Sequence, residues 1–286
     1  MIYAFQHFER FMRFVHERYL VAIRRNTGSP RPWTTDPILS QYKFTNVYRE
    51  WDRVTVWIRE RWRIPHAGDK HLWFAMVIAR LVNHPPTLVR MPFPGRWNKS
   101  AFLAVMKTQK ELGQKAFGSA YIVSTGGLAM NKAEYLASYV LDPMWGFRDE
   151  IAPMEGQSLL AWFNQISLSQ GMGSFMAAQI VADMKYVAPL SEAHDWWTFA
   201  SSGPGSRKGM SYVMGLNPNT NRWKEHEWRE ALSELAALTR PVIKTFGMPR
   251  MHAQDLQNCL CEYSKYRRTE LGTGRPKQKF VPFQEA

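Results

Sequence analysis

Apolar residues recur every three or four positions along most of the chain, which is the spacing of one buried helix face. Alternation typical of a strand is rare, and the stretch 120–125 fits either a short strand or a buried extended turn. Pro- and Gly-rich stretches separate the periodic segments. The pattern predicts helices over residues 2–25, 46–63, 70–83, 98–113, 131–141, 156–168, 174–185, 206–214, 224–246 and 252–268.

These elements predict an all-α chain with long ordered loops. A soft boundary near 145–155 separates an N-terminal part, residues 1–150, from a more sharply patterned C-terminal part, residues 151–286. We expect the two parts to form one compact unit.

A turn between two apolar helices carries the clearest chemical signal. Gly171 and Gly173 permit positive φ and close backbone approach, and Ser174 opens the second helix. The backbone N–H groups and the positive dipole end at such a helix start are suited to an anion, such as a phosphate. An ordinary helix–helix turn explains the same residues.

Two polar helix faces supply further candidates. Over 46–63, helical spacing would align Asn46, Arg49 and Arg53, with Asp52 alongside, as a cluster able to clamp a phosphate and take a proton. A solvated face with ion pairs is the alternative. Over 252–268, one polar face holds Asp255, Asn258, Glu262 and Lys265. Glu262 and Lys265 are three positions apart and form a pair that is either catalytic or stabilising.

Two basic segments add to this set. The stretch 201–210 places glycines before Arg207 and Lys208, which fits a second phosphate-binding loop or a surface turn with solvated charges. The segment 265–279 is rich in Lys and Arg, which suits a DNA backbone or a solvated tail.

Composition narrows the class of protein. Of 286 residues, 45% are hydrophobic and 14% aromatic, which excludes a disordered chain. No apolar run is long enough for a bilayer and the N-terminus lacks a secretory pattern, so no membrane partner is expected. Cys259 and Cys261 suit neither a zinc site nor a disulfide framework, which predicts a reducing cytoplasm.

The charge balance favours a polyanionic partner. The net charge is +13 and the pI near 9.8, although a basic protein of another kind shares these values. The chain has no P-loop motif, no H-x-E with a C-x-x-C partner, no nucleophile elbow and no dinucleotide fingerprint. No metal and no cofactor are required by the sequence.

The hairpin resembles the helix-hairpin-helix of DNA-repair glycosylases, which grips a backbone phosphate. That class places an aspartate after the second helix, and here Asp195 follows Gly171 by 24 positions. The resemblance implies a glycosylase-like helical fold. Asp195 is otherwise explained as the N-cap of a helix starting at Trp196.

An ordered set of motifs spanning roughly residues 40–280 is similar to a phage-associated family. It comprises the α-glutamyl/putrescinyl thymine pyrophosphorylases and the helical domain of 5-hydroxymethyluracil DNA kinases. The motifs are FTNVYREWDR (44–53), ARLVNHPPT (79–87), AYIVSTGG (120–127), GMGSFMAAQIVAD (171–183), FASSGPGSRKG (199–209) and LCEYSKYRR (260–268).

The resemblance implies thymidine hypermodification in phage DNA. In that scheme a base in double-stranded DNA carries a pyrophosphomethyl group, and an amine, such as an amino acid, displaces pyrophosphate. Because the chain lacks a P-loop, amine transfer suits it better than phosphorylation, and glycine is an implied donor. A DNA glycosylase for a modified base and a non-catalytic DNA-binding subunit are the competing hypotheses.

Residue roles follow from this scheme as expectations. Leaving pyrophosphate requires positive charge, for which the candidates are Arg49, Arg53 and Lys265. The carboxylate base is one of Asp52, Asp195 and Glu262. Base flipping is expected, with Asn46 on the uracil edge and Tyr48 or Trp196 stacking on it. Arg80 and Asn83 complete the expected substrate-binding set.

Overall fold

The computed structural model describes residues 5–120, 125 and 127–280. Within these residues the regular elements are helices, and the only strand-like pairing is an isolated bridge between Tyr42 and Lys279. The all-α prediction is confirmed. Of the stretch 120–125, residues 121–124 lie outside the described part of the chain.

The chain forms two compact units, and the boundaries between them do not lie near residue 150. Unit 1 combines Met1–Asp52 with Thr198–Ala286, and unit 2 is Arg53–Trp197. The N-terminal helix therefore shares a core with the C-terminal helices. Local patterning does not reveal such a pairing, because it depends on contacts between residues more than 200 positions apart.

Unit 1 is built on three long helices and two shorter ones. They are α1 (Phe5–Asn26), α2 (Pro37–Gln41), α12 (Pro204–Val213), α13 (Glu225–Thr245) and α14 (Ala253–Glu270). The buried face of α1 includes Phe11 and Phe14 at helical spacing. Both rings contact the buried Tyr263 of α14, with centroids 5.2 and 5.3 Å away. This aromatic contact joins the first helix to the last.

Helices α12 and α14 approach each other through glycines. A Cβ atom on Gly205 would overlap the Sγ atom of Cys261, and one on Gly209 would overlap the carbonyl oxygen of Leu260. Gly203 caps α12, where its N–H donates to Oγ of Ser206 at 2.9 Å. The glycines in 201–210 thus provide close helix packing and a helix start.

Substituting Gly209 by alanine is expected to destabilise the protein by about 1–3 kcal/mol, because a methyl group has no room beside rigid backbone. Gly146→Ala is the matched control, since this exposed helical glycine has open space around its Cα. The control should change stability by less than about 1 kcal/mol. Urea denaturation measures both, and equal shifts would refute the packing role.

Unit 2 contains the remaining α-helices. They are α3 (Arg53–Ile58), α4 (Leu72–Val82), α5 (Pro85–Leu88), α6 (Lys99–Glu111), α7 (Lys132–Tyr135), α8 (Asp142–Gly146), α9 (Arg148–Ile151), α10 (Leu159–Ser167) and α11 (Gly173–Met184). Every residue of α4 is buried, and α11 packs against both α4 and α10. The central position of α4 explains why its sequence is almost wholly apolar.

The predicted helix over 46–63 was wrong in its first part. Residues 45–48 are not helical, Arg49–Trp51 is a single 3-10 turn, and α3 begins only at Arg53. A π-helical stretch, Arg59–Arg63, follows it. Asn46, Arg49 and Arg53 therefore do not share one helix face.

Candidate functional site

Two distant motifs meet in unit 1. Oγ1 of Thr45 donates to Oδ1 of Asn258 at 3.0 Å, and Nδ2 of Asn258 donates to the carbonyl oxygen of Asn46 at 2.9 Å. The backbone N–H of Arg49 donates to Oδ1 of Asp255 at 3.2 Å. The segment 44–52 is thus held against the start of α14 by side chains that lie more than 200 positions away.

The segment also closes on itself through Asp52. Oδ1 of Asp52 accepts hydrogen bonds from the backbone N–H of Asn46 at 3.2 Å and from its Nδ2 at 3.1 Å. Nδ2 of Asn46 also donates to the carbonyl oxygen of Trp51 at 3.0 Å. These bonds fold the chain into a compact loop and place a carboxylate beside a side-chain amide.

Tyr48 anchors this loop in the core. Its hydroxyl donates to the carbonyl oxygen of Pro249 at 2.5 Å, and burial raises the pKa of the phenol far above its ordinary value. The ring is 7% exposed and contacts Trp51, with centroids 4.8 Å apart. This position gives Tyr48 a supporting role, and stacking on a base would require it to leave the core.

Arg18 of α1 binds the backbone of the same loop. Its Nη2 donates to the carbonyl oxygen of Thr45 at 2.6 Å and to that of Asn46 at 3.2 Å. The residue is 4% exposed. Arginine is a fitting donor here because its charge strengthens hydrogen bonds to carbonyl oxygens. Arg18 was not identified as a functional candidate from the sequence, although a charged residue within the apolar stripe of α1 could have indicated it.

Helix α14 adds two carboxylates. Asp255 is buried and forms a capping box with His252 at the helix start. Two turns further on, Oε1 of the buried Glu262 accepts from Nζ of Lys265 at 2.6 Å. The Lys265 side chain is partly exposed, so its charge is accessible while Glu262 lies behind it. Asp255 and Asn258 were seen on the polar face of this helix, but not as partners of segment 44–52.

A solvent-open groove lies beside this loop. It is shallow and has little enclosed space. Its lining residues are Arg18, Val21, Ala22, Arg25, Leu39, Tyr42, Phe44, Thr45, Asn46 and Phe280. Nη2 of Arg25 donates to Oδ1 of Asn46 at 3.3 Å. The loop residues Thr45 and Asn46 therefore contact both the groove and α14.

In unit 2 the predicted hairpin is present between α10 and α11. Gly171 and Gly173 both adopt positive φ, at 79° and 49°. A Cβ atom on Gly171 would lie 2.7 Å from Cγ2 of Val140, so packing as well as conformation requires glycine there. Gly173 and Ser174 are exposed at the start of α11. The turn thus presents the first residues of α11 to solvent.

Asp195 is a helix cap, but for a different helix from the one expected. Its Oδ1 accepts from the backbone N–H of Leu159 at 2.8 Å, and its Oδ2 from that of Leu160 at 2.9 Å. These are the first two residues of α10, while residues 194–198 form turns. Trp196 begins no helix, and its indole donates to the carbonyl oxygen of Lys185 at 2.6 Å.

Arg80 is committed to the core of unit 2. Its Nε and Nη2 donate to the two carboxylate oxygens of Asp183 at 2.5 and 2.6 Å, and Nη2 also donates to Oγ1 of Thr55 at 3.1 Å. Since Arg80 and Asp183 are almost completely buried, a substrate cannot reach this guanidinium in the observed structure. Asn83 ends α4 with a left-handed backbone and is also buried, which assigns it to helix termination.

The remaining predicted cations differ in their surroundings. Nη2 of Arg207 contacts Oε2 of Glu225 at 3.0 Å, and its Nε donates to Oγ of Ser202 at 2.7 Å. Burial alone would raise the pKa of Glu225, but hydrogen bonds from Ser202 and Arg207 hold it below the ordinary value. Arg53, at the start of α3, is exposed, and Lys208 is partly exposed.

Among the described residues, no group of three or more His, Cys, Asp or Glu is placed to hold a metal ion. In the same part of the chain, every helix is too short or too polar to cross a membrane. Both cysteines are free thiols on α14, and burial raises the pKa of Cys259 to about 11.

Comparison with known proteins places the chain in a family. It belongs to the family described as "5-hmdU DNA kinase, helical domain", whose model matches residues 5–275. A protein of Bacillus phage SP10 with the name 5-hmdU DNA kinase is 26% identical over 285 residues. The match covers 90% of this chain and 44% of the phage protein, so the chain spans less than half of that relative's length. No solved structure matches the chain.

Proposed function

We propose that this chain is an amino acid:DNA transferase of bacteriophage thymidine hypermodification. Its substrate is a 5-pyrophosphomethyluracil base in double-stranded DNA, and its product is the amino-acid adduct. Membership of the 5-hmdU DNA kinase helical-domain family supports a reaction on a modified thymine. The P-loop motif of phosphoryl-transfer enzymes does not occur in these 286 residues, which favours the amine-transfer step.

The proposed reaction is a displacement at the exocyclic methylene carbon. The amine lone pair forms a carbon–nitrogen bond while the carbon–oxygen bond to pyrophosphate breaks, and pyrophosphate leaves with the electron pair. Only the unprotonated amine can attack, so a carboxylate base takes a proton from the ammonium form beforehand, and the nitrogen loses a second proton to solvent after the displacement. Cationic side chains stabilise the charge on the leaving group.

The meeting of segment 44–52 with α14 is the observation that carries this proposal. The non-catalytic subunit hypothesis expects the two polar regions to lie apart, whereas hydrogen bonds from Thr45, Arg49 and Asn258 join them. A structural interface alone does not need two carboxylates, Asp52 and Asp255, and two amides, Asn46 and Asn258, gathered in one region. This arrangement supports an enzyme.

Roles in unit 1 follow from accessibility. Asp52 is the proposed base, since it is only partly buried and already bonded to the Asn46 amide. Lys265 is the proposed cation for pyrophosphate, because its side chain is partly exposed. Glu262 lies behind Lys265 and is assigned to positioning that ammonium group. Arg49, which is largely buried, is a second cation of this region.

Roles in unit 2 concern DNA. The exposed start of α11, with Gly173 and Ser174, is proposed to bind a backbone phosphate through backbone N–H groups, as in a helix-hairpin-helix of glycosylase type. The net charge of +13 supports binding to the DNA backbone, for which the exposed Arg53 of unit 2 and the partly exposed Lys208 of unit 1 are available cations. Flipping the target base out of the stack would expose its methylene group. The host cytoplasm is the proposed location.

Mass spectrometry of nucleosides tests the function directly. DNA carrying pyrophosphomethyl-deoxyuridine is incubated with the protein and a mixture of amino acids, then digested. We expect a new amino-acid adduct and release of one pyrophosphate per adduct. An abasic site would instead establish the glycosylase hypothesis, and DNA that is bound but unchanged would establish the non-catalytic subunit.

A further inference from the structure

A short backbone pairing in unit 1 joins the segment that follows α2 to the segment that follows α14. The backbone N–H of Lys43 donates to the carbonyl oxygen of Gln278 at 3.0 Å, and that of Phe280 donates to the carbonyl oxygen of Gln41 at 2.9 Å. Pro276, just before this pairing, is buried. The basic segment after α14 is therefore held against unit 1 and does not extend into solvent as a free tail.

The two paired segments carry positive charge alone. Neither residues 37–48 nor residues 271–280 include an Asp or a Glu. Their Lys and Arg residues are all exposed: Lys43, Arg275, Lys277 and Lys279. Within the described part of the chain, none of the three lysines forms an ion pair. Like charges on one surface repel one another, so a bound polyanion would stabilise this surface.

The carboxylates just before the two segments are engaged elsewhere. Oδ2 of Asp36 accepts from the hydroxyl of Tyr266 at 2.7 Å, and Oδ1 of Asp36 caps α2. Glu270, the last residue of α14, pairs with Arg10 and Arg267. Neither carboxylate can neutralise the lysines without leaving these partners, so the positive charge of the surface is available to an external anion.

Aromatic rings restrain the lysine ammonium groups. Nζ of Lys43 lies 5.7 Å from the ring centroid of Phe280, and Nζ of Lys279 lies 5.4 Å from that of Tyr42. Each ammonium group thus lies over a ring of the other segment and keeps N–H donors for an anion. The guanidinium of Arg31 also lies over the Phe280 ring, at 5.3 Å. Because cations already lie over these rings, the surface suits phosphate groups better than stacked, unpaired bases.

We propose that the surface formed by Lys43, Lys277 and Lys279 binds the phosphate backbone of double-stranded DNA without reading its sequence. Lysines make such contacts by replacing the counterions of the backbone. The inference rests on the proposed function for the identity of the polyanion, and on the contacts within unit 1 for the location of the surface. It gives unit 1 a DNA contact in addition to the one proposed at the start of α11 in unit 2. The alternative is a solvated edge whose lysines only prevent pairing with another chain.

Fluorescence anisotropy with a short labelled duplex of unmodified DNA, at several salt concentrations, tests the proposal. The test variant combines Lys43→Gln, Lys277→Gln and Lys279→Gln. We expect the slope of log Kd against log salt concentration to fall by about 2–3, because each phosphate contact contributes about 0.9 to it. At physiological salt the affinity should fall by about 10-fold or more.

A matched control removes the same charge elsewhere. It combines Arg13→Gln, Arg240→Gln and Lys244→Gln, which are exposed cations of unit 1 on α1 and α13. The slope of this control should stay within about 1 of the parent value. Replacing the three surface lysines by arginine keeps the charge and should preserve both slope and affinity, which separates the loss of charge from misfolding.

The outcomes separate this inference from the proposed function. An unchanged slope in the glutamine variant, or an equal fall in the control, refutes the surface and leaves its lysines as a solvated edge. Tighter binding of a single strand of the same sequence and length overturns the assignment to duplex DNA. Adduct formation by a protein whose DNA affinity does not depend on the three lysines would keep the function and refute the surface. The expected loss of affinity in a protein that forms no adduct would do the reverse.

Discussion

Replacing Asp52 by asparagine is expected to lower the rate of amine transfer by about 10²–10⁴-fold, because the amide cannot accept the proton that the attacking amine loses. Its oxygen can still accept hydrogen bonds from Asn46, so the loop should keep its shape. The rate is measured with pyrophosphomethyl-containing DNA and saturating amino acid. Asp149→Asn, at an exposed carboxylate of unit 2, should leave the rate unchanged.

The pH profile distinguishes a base from a merely positioning group. If Asp52 takes the proton, transfer by Asp52→Asn should recover as pH rises, because more of the free amine is then already deprotonated. If Asp52 only orients Asn46, the rate should fall by the same factor at every pH. Full activity of Asp52→Asn at neutral pH would show that Asp52 is not the base, and Glu262 would then be the next candidate.

Substituting Asp183 by asparagine is expected to destabilise the protein by about 3–5 kcal/mol, because it leaves the Arg80 guanidinium buried without its carboxylate. Asp183 is 0% exposed and Arg80 1%, and Nη1 of Arg63 lies 3.8 Å from the same carboxylate. Urea denaturation followed by tryptophan fluorescence measures the change. The exposed-pair variant Asp149→Asn should stay within about 0.5 kcal/mol of the parent.

A triple variant shows whether the ion pairs or the uncompensated charges are decisive. Because Arg63 also contacts the Asp183 carboxylate, Arg63→Met and Arg80→Met are combined with Asp183→Leu, which removes all three charges and should recover much of the stability lost in Asp183→Asn. If the triple variant is as unstable as the single one, packing or the bond to Thr55 carries the stabilisation instead.

Helix positions were predictable because their signal is local. The apolar spacing predicted α1, α4, α6 and α10–α14 to within a few residues of their observed ends. The Gly171–Gly173 turn was likewise predicted from its residue types, and its positive φ angles confirm the reason. The first part of the helix predicted over 46–63 does not form, because the Asp52 side chain binds the Asn46 backbone and competes with helix formation.

The candidate site was only partly predictable. Asn46, Asp52, Glu262 and Lys265 could be nominated because polar groups of complementary chemistry recur near apolar stripes. The contact between segment 44–52 and α14 could not be predicted, since it depends on Asn258 and Asp255 bonding to a segment more than 200 residues earlier. Arg80 was nominated from sequence without its partner, because Asp183 is 103 positions away and only the fold reveals that the charge is already paired.

The sequence by itself therefore determined the all-α class, the hairpin and the basic character, since periodicity, glycine placement and net charge are properties of short segments or of composition. Only the tertiary structure decided that residues 1–52 share a unit with residues 198–286, and which charges are buried or already paired. The physical reason is that solvation and ion pairing depend on neighbours in space, and the chain order of this protein places those neighbours far apart.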